Sequence, residues 1–597
     1  MPVSASTQKT TAEQDDLVKL ARSQAELNYY DLSPEERQEF DYFFWTIHLG
    51  WTVFPVLAGP SRSIRAEWIR WVCKDPAVKL IQPSGLSISD ANILGRIDLS
   101  WLKLEFPLSL VQCELSDGIS LVGASVRELT LNQLTIKSSS QVYSVAANDL
   151  TVQGSVYLDD DRFDDPVSFR GARITGKLQL EGTKIHPSDS IVTGLDLAFA
   201  TVDQEVTLKD IACTGTVSFD NVDIRGNFHC YNMTIASRLG FRGTSMKVSG
   251  TVTLNIITDD PLYINRSTIG GDLVLAGREF LPENSPSSAA ELLEATEVKV
   301  DGDVHISLQN TTRGIFFFGA KVGGSIILLN AGGPTHAILE LTDASARSLF
   351  NNRAGWPRPG NLGLQGFVFN ELDRPESNTQ IAWLRLQSPF VSQAYQQMAT
   401  VLRNMGYREE AVKVQIAEKW DEGSETVWLD YAQFLHAVQH WQLIRLLYLA
   451  SRILFYDVLW FFGFGWIIGY GYRPWNALLI SIGFVIIGTV VFHAAERSRI
   501  LIKSAETPGR IRRDRWRLRD DNFSAFIYSL ETFIPLVKLG VADVWKINAN
   551  AGRPIWLLGI SVRRPGLVVV RYYRIHIMAG WVFTTLWAAA FTGILKQ

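Results

Sequence analysis

The chain has 597 residues, a formal charge of −4 and a 47% hydrophobic share that includes 18 Trp and 31 Phe. That length leaves room for several domains, and so mild an acidic balance offers no basic face for nucleic acid. Four cysteines, Cys73, Cys113, Cys213 and Cys230, make neither a disulfide framework nor a CxxC zinc or redox pair. They fit a reduced compartment, with Cys213 and Cys230 expected as small apolar residues of an interior rather than as metal ligands.

The opening stretch MPVSASTQKTTAEQDD has neither the charged start nor the apolar core of a signal peptide, so the N-terminal half is expected to stay cytoplasmic. From about Ala12 to Pro76 the pattern reads as helices, with Pro34 to Arg37 opening an aromatic-rich segment through Trp51. Residues 1–84 are therefore expected to form a helical cap over the open edge of a repeat domain.

Between Ile97 and Leu341 apolar-x-apolar triplets recur, as in Ile97/Leu99, Leu108/Leu110, Ile119/Leu121 and Leu129/Leu131. They continue through Val156/Leu158, Val167/Phe169, Leu178/Leu180, Val206/Leu208, Val217/Phe219, Leu239/Phe241 and Ile326/Leu328. Steps of ten or eleven residues predominate. A triplet with both ends apolar turns one strand face inward, and a fixed step stacks such faces on one another. Residues 85–345 are thus expected to form a right-handed β-solenoid with two strands per coil of about twenty-two residues. Small residues at the corners, as in Gly171 to Ile174 and Gly319 to Val322, suit tight turns. A β-sandwich would need longer strands and Asn-Gly or Asp-Gly hairpins, which are scarce here. Pro282 to Ala290 reads as a loop that interrupts the repeat before Val298/Val300 resume it.

An enzymatic β-stack is the main competing class. Asp159, Asp160, Asp161, Asp164 and Asp165 are the densest carboxylates, able in principle to hold calcium but read here as a solvated turn. His229 and His305 lack a spacing partner, and no Ser-His-Asp order is present. No catalytic, cofactor-binding or metal-ligating residue is expected, and the chain leans away from being an enzyme.

Residues 346–440 read as a loop and helical linker. Asn351 to Ser377, rich in Pro, Gly and Asn, is expected to close the stack. A helical hairpin comes next, with Tyr395, Met398, Ala399 and Leu402 on one face, a break at Gly406, and Ala411, Val414 and Ala417 on the second helix. Its spacing resembles one tetratricopeptide unit, and it is read as a spacer.

Residues 441–597 read as a transmembrane domain. Trp475 to Phe492 (WNALLISIGFVIIGTVVF) carries no charge and approaches the length of a span, and Ile575 to Leu595 is a second candidate. Between Glu496 and Asp521 nine Lys/Arg face five Asp/Glu, and Arg563, Arg564, Arg571 and Arg574 lie beyond. The positive-inside rule places that loop in the cytoplasm, which requires a further span, Ile453 to Tyr470, before it. Residues 523–540 (FSAFIYSLETFIPLVKLG), interrupted by Glu531 and Pro535, read as a re-entrant or interfacial segment. Tyr528, Thr532, Pro535 and Lys538 are its candidate pore-like residues, although no TVGYG follows Thr532 and Lys538 opposes cations. Ile467 to Gly471 superficially resembles a potassium filter, and Gly463 to Gly469 a dinucleotide loop; neither follows the elements that such a motif needs.

The degenerate coils, the hairpin QAYQQMATVLRNMGYREEAVKVQIAEK, the segment GYGYRPWNAL and the segment YSLETFIPLVKLG together resemble a group of bacterial membrane proteins. The resemblance covers most of Ile97 to Gln597. It implies pentapeptide-like β-helical repeats joined to an ion-channel-like C-terminal half. Some members carry the label membrane-associated oxidoreductase, for which this chain shows no cofactor site. The expected partners are the lipid bilayer, an unidentified protein on the solenoid and further copies in a homo-oligomer. The expected location is the inner (plasma) membrane, multi-pass, with the solenoid cytoplasmic.

Overall fold

The computed structural model describes residues 18–24, 27–48, 63–74, 85–137, 143–187, 193–237, 239–258, 260–277, 291–308, 314–328, 338–439, 443–453, 465–503, 523–551, 555–557, 560–562 and 565–592. They form two compact units, Met1–Tyr407 and Arg408–Gln597.

The first unit opens with helix α1 (Pro34–His48). Ser33 and Glu36 cap it reciprocally: Glu36 N donates to Ser33 Oγ at 3.2 Å and Ser33 N to the Glu36 carboxylate at 2.8 Å. The Ser33 amide, then the Arg65 guanidinium, hold the Glu36 carboxyl down at about 2. Arg65 closes a strand, Ser63–Arg65, that pairs in parallel with Asn92–Leu94. Helix α2 (Ala66–Val72) buries Trp68, Ile69 and Val72. The cap thus supplies a strand as well as helices, and its strand begins the stack.

Behind it runs a β-solenoid of about eleven turns. Ile97, Ile119, Val145, Val167, Leu195, Val217, Phe241, Leu262, Leu293, Ile315, Leu339 and Leu362 sit in register along one twelve-stranded parallel sheet. The earlier coils hold four short strands where two were expected, as in Ile119–Ser120, Ser125–Val126, Leu129–Asn132 and Thr135–Ile136, and later coils merge two of these into one, as in Phe228–Ile235. Ile119, Ala124, Leu129 and Leu134 are buried, and so are Leu121, Val126, Leu131 and Ile136. The eleven-residue step is therefore two half-steps of five or six, and alanine at the narrow positions hid the finer period.

The expected triplets point inward with one exception. Leu239 is 44% exposed, because the register pairs Phe241 with Val217 and puts Gly243 at the triplet's second end. Gly240, at φ 57°, makes the turn that shifts the frame. The stack also continues past 345: Leu362–Gly363 and Val368–Leu372 are its last strands, within the stretch expected to close it. The loop at 282–290 lies outside the described residues.

One corner of the coil takes a left-handed backbone at every turn. Gly123, Gly171, Gly319 and Gly366 share it with Asp149, Asn221 and Asp343, all with φ between 54° and 70°. Glycine meets no Cβ penalty there, and Asn and Asp tolerate it best among the rest. Side chains also extend the ladder: Asn227 Oδ1 accepts from Thr251 N at 2.9 Å, Asp272 Oδ1 from Asp303 N at 2.8 Å and Asp303 Oδ1 from Ser325 N at 2.6 Å. Surface charges pair between coils, as in Lys177–Glu205 at 2.6 Å and Arg225–Asp203 at 3.1 Å.

Helices α3 (Ser377–Leu384) and α4 (Ser392–Asn404) end this unit. Gln397 Nε2 donates to Phe369 O at 2.6 Å and Gln393 Nε2 to Phe367 O at 3.3 Å, satisfying carbonyls of the final coil. The first helix of the expected spacer is thus a cap on the open β-edge. Its second helix, α5 (Arg408–Gln439), belongs to the C-terminal unit, together with α6 (Leu443–Arg452), α7 (Gly465–Ile468), α8 (Pro474–Arg497), α9 (Ala525–Phe533), α10 (Val541–Val544) and α11 (Pro565–Phe591).

Of the three spans read from the sequence, one helix among the described residues is long and apolar enough to cross a membrane: α8 over Trp475–Arg497, with a mean hydropathy of 2.3. Ile453 to Tyr470 lies mostly outside the described residues. Its described end is the one-turn helix α7 and a left-handed turn at Gly469, Tyr470 and Gly471, which separates it from α8. The helix expected from Ile575 begins earlier, at Pro565, and so carries Arg571 and Arg574 on its first turns. Much of the basic loop, 504–522, lies outside the described residues.

Candidate functional site

The C-terminal unit is built around α8, α9 and α11, each packed on the other two. Local chemistry sets the bounds of the short central helix. Ser524 caps α9 by accepting from Ile527 N at 3.4 Å. Ile534, held extended at φ −90° and ψ 107°, ends it, since Pro535 excludes the helical backbone from the residue before it.

Beyond that end the chain folds back through Glu531. Its carboxylate accepts from Gly540 N at 2.7 Å, Val541 N at 2.8 Å and Ala542 N at 2.9 Å. A charged acceptor on three adjacent amides pins the loop 534–540 to the helix it left. Leu536 at the loop's tip stays 88% exposed.

Inside, a polar node joins all three helices. His576 of α11 and Ser529 of α9 are both wholly buried. His576 Nε2 lies 3.1 Å from Ser529 O, and its Nδ1 lies 3.3 Å from the Tyr572 hydroxyl. Ser529 Oγ lies 2.9 Å from Val485 O on α8 and 3.3 Å from His576 Nε2. These partners assign the tautomer: Nε2–H donates to the Ser529 carbonyl, Nδ1 accepts from Tyr572, and the Ser529 hydroxyl donates to Val485. The serine proton is thus committed to a carbonyl and the imidazole nitrogen beside it already carries its own. That arrangement clamps three helices and does not activate a nucleophile.

Glycine makes the clamp possible. A Cβ at Gly488 would fall 2.2 Å from Ser529 Oγ, and one at Gly580 would fall 1.8 Å from Phe533 O. Backbones that touch this closely are how helices associate where lipid supplies no hydrophobic drive. Sequence reading noted His576 only as the one ionisable residue at the edge of Ile575 to Leu595 and passed over Ser529 and both glycines; small residues at Gly488 and Gly580 within apolar helices were the available signal.

The four pore-like candidates are spread across this arrangement. Tyr528 is buried, its ring edge-on to Phe492 at 4.9 Å, and Thr532 is buried with its hydroxyl donating to Tyr528 O at 2.7 Å. Pro535 is half-buried where it stops α9, and Lys538 is exposed on the loop. Tyr528 and Thr532 therefore face the interior of a single chain.

In the solenoid, His229 sits on the surface against Thr253 Oγ1 at 3.2 Å and stacks on Tyr231. All four cysteines are free and buried, and burial pushes the thiols of Cys73 and Cys213 up to about 12 and that of Cys113 to about 11. Among the described residues no group of three or more His, Cys, Asp or Glu is placed to hold a metal ion. Asp161 departs from the solvated turn expected of the acidic cluster. It is buried, one oxygen accepts from Leu134 N at 2.7 Å, and the other has no partner among the described residues.

No protein family, no curated protein and no solved structure matches this chain.

Proposed function

We propose that the chain is an integral protein of the inner membrane whose solenoid serves, on the cytoplasmic side, as an interaction or sensor scaffold coupled to a channel-like C-terminal module. The carrying observation is the inverted burial of that module. Polar groups of α8, α9 and α11 meet inside, while Trp475, Leu479, Ile482, Ile486, Ile487 and Val490 of α8 and Ile575, Met578, Trp581 and Phe591 of α11 are exposed. Large apolar side chains in such numbers on an outer surface call for lipid or protein cover. A short helix and returning loop held between two long helices is the layout of a re-entrant segment, and irregular backbone at membrane depth must be enclosed by protein in this way.

On this reading α8 and α11 span together with an earlier crossing, the sequence segment Ile453 to Tyr470, which leaves the solenoid and the basic loop both cytoplasmic, and the half-step of five inward residues supports the pentapeptide-like relationship. Charges paired coil to coil and the lack of a reactive cluster among the described residues favour recognition over catalysis by the solenoid. The channel form requires several copies, because so few spans cannot enclose a pore, and Lys538 is the charge placed to bias its ion preference.

The test is alkaline carbonate washing of membranes that contain the full chain, then the oligomeric state in detergent, then planar bilayer recording. Retention in the washed membrane is expected. Release into the wash overturns the membrane reading, a stable monomer without conductance eliminates the channel form, and a bound redox cofactor in the absorption spectrum overturns both.

A further inference from the structure

A concave pocket of about 600 Å³ lies within the C-terminal unit, between α5, the α7 turn and the first turns of α8. Its walls are the apolar Ile467, Leu479 and Ile480 and the aromatic Trp420 and Tyr470, together with Arg473. The left-handed turn shapes it: Gly469, Tyr470 and Gly471 take φ of 54°, 53° and 87°. That turn lays the Tyr470 ring against Gly465, where a Cβ would come within 2.5 Å of it. A Cβ at Gly469 would press on Ile416 at 3.2 Å, so neither glycine can carry a side chain without disturbing the lining.

We propose that this pocket holds an acyl chain of an anionic phospholipid whose headgroup phosphate rests on Arg473, an inference that relies on α8 being a membrane span. Three observations converge on that ligand. The lining is mostly hydrocarbon and ring faces, with the Asn476 amide, the Tyr470 hydroxyl, the Trp420 indole N–H and Arg473 as its polar groups, which suits an acyl chain with a polar head. Among the described residues no acidic side chain lines the pocket and Arg473 has no ion pair, so its charge complements an anion. The pocket also lies where α8 begins, beside Trp475 at 62% and Leu479 at 66% exposure. In a bilayer that level is the headgroup boundary, where Trp, Tyr and Arg gather and a lipid can enter sideways.

Full-length protein in detergent, titrated with dioleoyl phosphatidylglycerol or dioleoyl phosphatidylcholine and read by native mass spectrometry, tests this. Wild type is expected to prefer phosphatidylglycerol roughly fivefold, as one basic residue gives at an anionic surface. Arg473→Gln brings the two lipids to parity, and Arg473→Lys keeps most of the preference. Leu479→Trp, which fills the pocket, weakens both lipids, whereas Arg497→Gln at the far end of α8 changes neither. Equal binding by wild type, or a preference that survives Arg473→Gln, overturns the assignment. Carbonate washing of the same membranes separates the two levels: a released chain fails the span itself, and a retained chain without lipid preference fails the pocket alone.

Discussion

Asp161 is the residue at which the solenoid's interior is least content. Burial pushes its carboxyl from an ordinary 3.8 up to about 8, with Asp159 and Asp160 adding to the rise and the Leu134 amide opposing it. A raised folded value means that the fold favours the protonated form, so this stabilisation is full below about pH 4 and is lost as pH rises towards 8. The urea midpoint of the wild type is expected to fall between pH 5 and pH 8.5 by more than that of Asp161→Asn, which keeps the acceptor for Leu134 N and cannot ionise. Parallel pH profiles for the two proteins would dismiss this account. Glycine contacts carry a second residue-scale prediction. Gly580→Ala drives a methyl into the Phe533 carbonyl and should cost about 1–3 kcal/mol. Gly483→Ala meets open space in α8 and should cost nothing or gain up to about 1 kcal/mol in helix propensity. Thermal melts of the two variants check the contrast, and equal melting points refute it.

Among elements, α9 and its returning loop depend on one side chain. Glu531→Ala leaves the amides of Gly540, Val541 and Ala542 without their acceptor, a loss of about 1.5–3 kcal/mol for hydrogen bonds to a charged group. Hydrogen exchange at those three amides should quicken at least roughly tenfold, with little change in the solenoid. Unchanged exchange would mean that the loop is held by something else. The solenoid's own elements are short, two to eight residues, and each strand is stable only because the coils above and below complete its ladder. Caps at both ends are a consequence: the Ser63–Arg65 strand covers the first coil, and α4, through Gln393 and Gln397, covers the last.

For the whole molecule, on the membrane reading proposed above, charge sets the direction in which the C-terminal unit crosses the bilayer. Nine cations between Glu496 and Asp521 predict that this loop faces the cytoplasm. With Arg513→Cys in sealed vesicles, a membrane-impermeant maleimide should label only after the cytoplasmic face is opened. Labelling from the outer face alone would reverse the orientation and leave two spans with an external basic loop. The solenoid's stacking is a nearest-neighbour property, so it should fold independently of that outcome.

The repeat was legible because alternate residues of a short strand face a dry interior, and only apolar side chains survive there without a partner. From that period came the β-stack, its approximate extent and the inward direction of nearly every triplet. The apolar run of α8 was equally plain, since length and lack of charge are local properties. The extra strands within each coil, the slip at Leu239 and the stack's continuation to Leu372 were not legible, because alanine, Gly240 and Pro-rich turns break the period without breaking the ladder. The node of His576, Ser529 and Val485 was further out of reach. Its members lie more than forty positions apart in sequence, and none alone points to the others. Burial turns them into a clamp: polar groups enclosed together must satisfy one another, and only the packing of three helices decides which do.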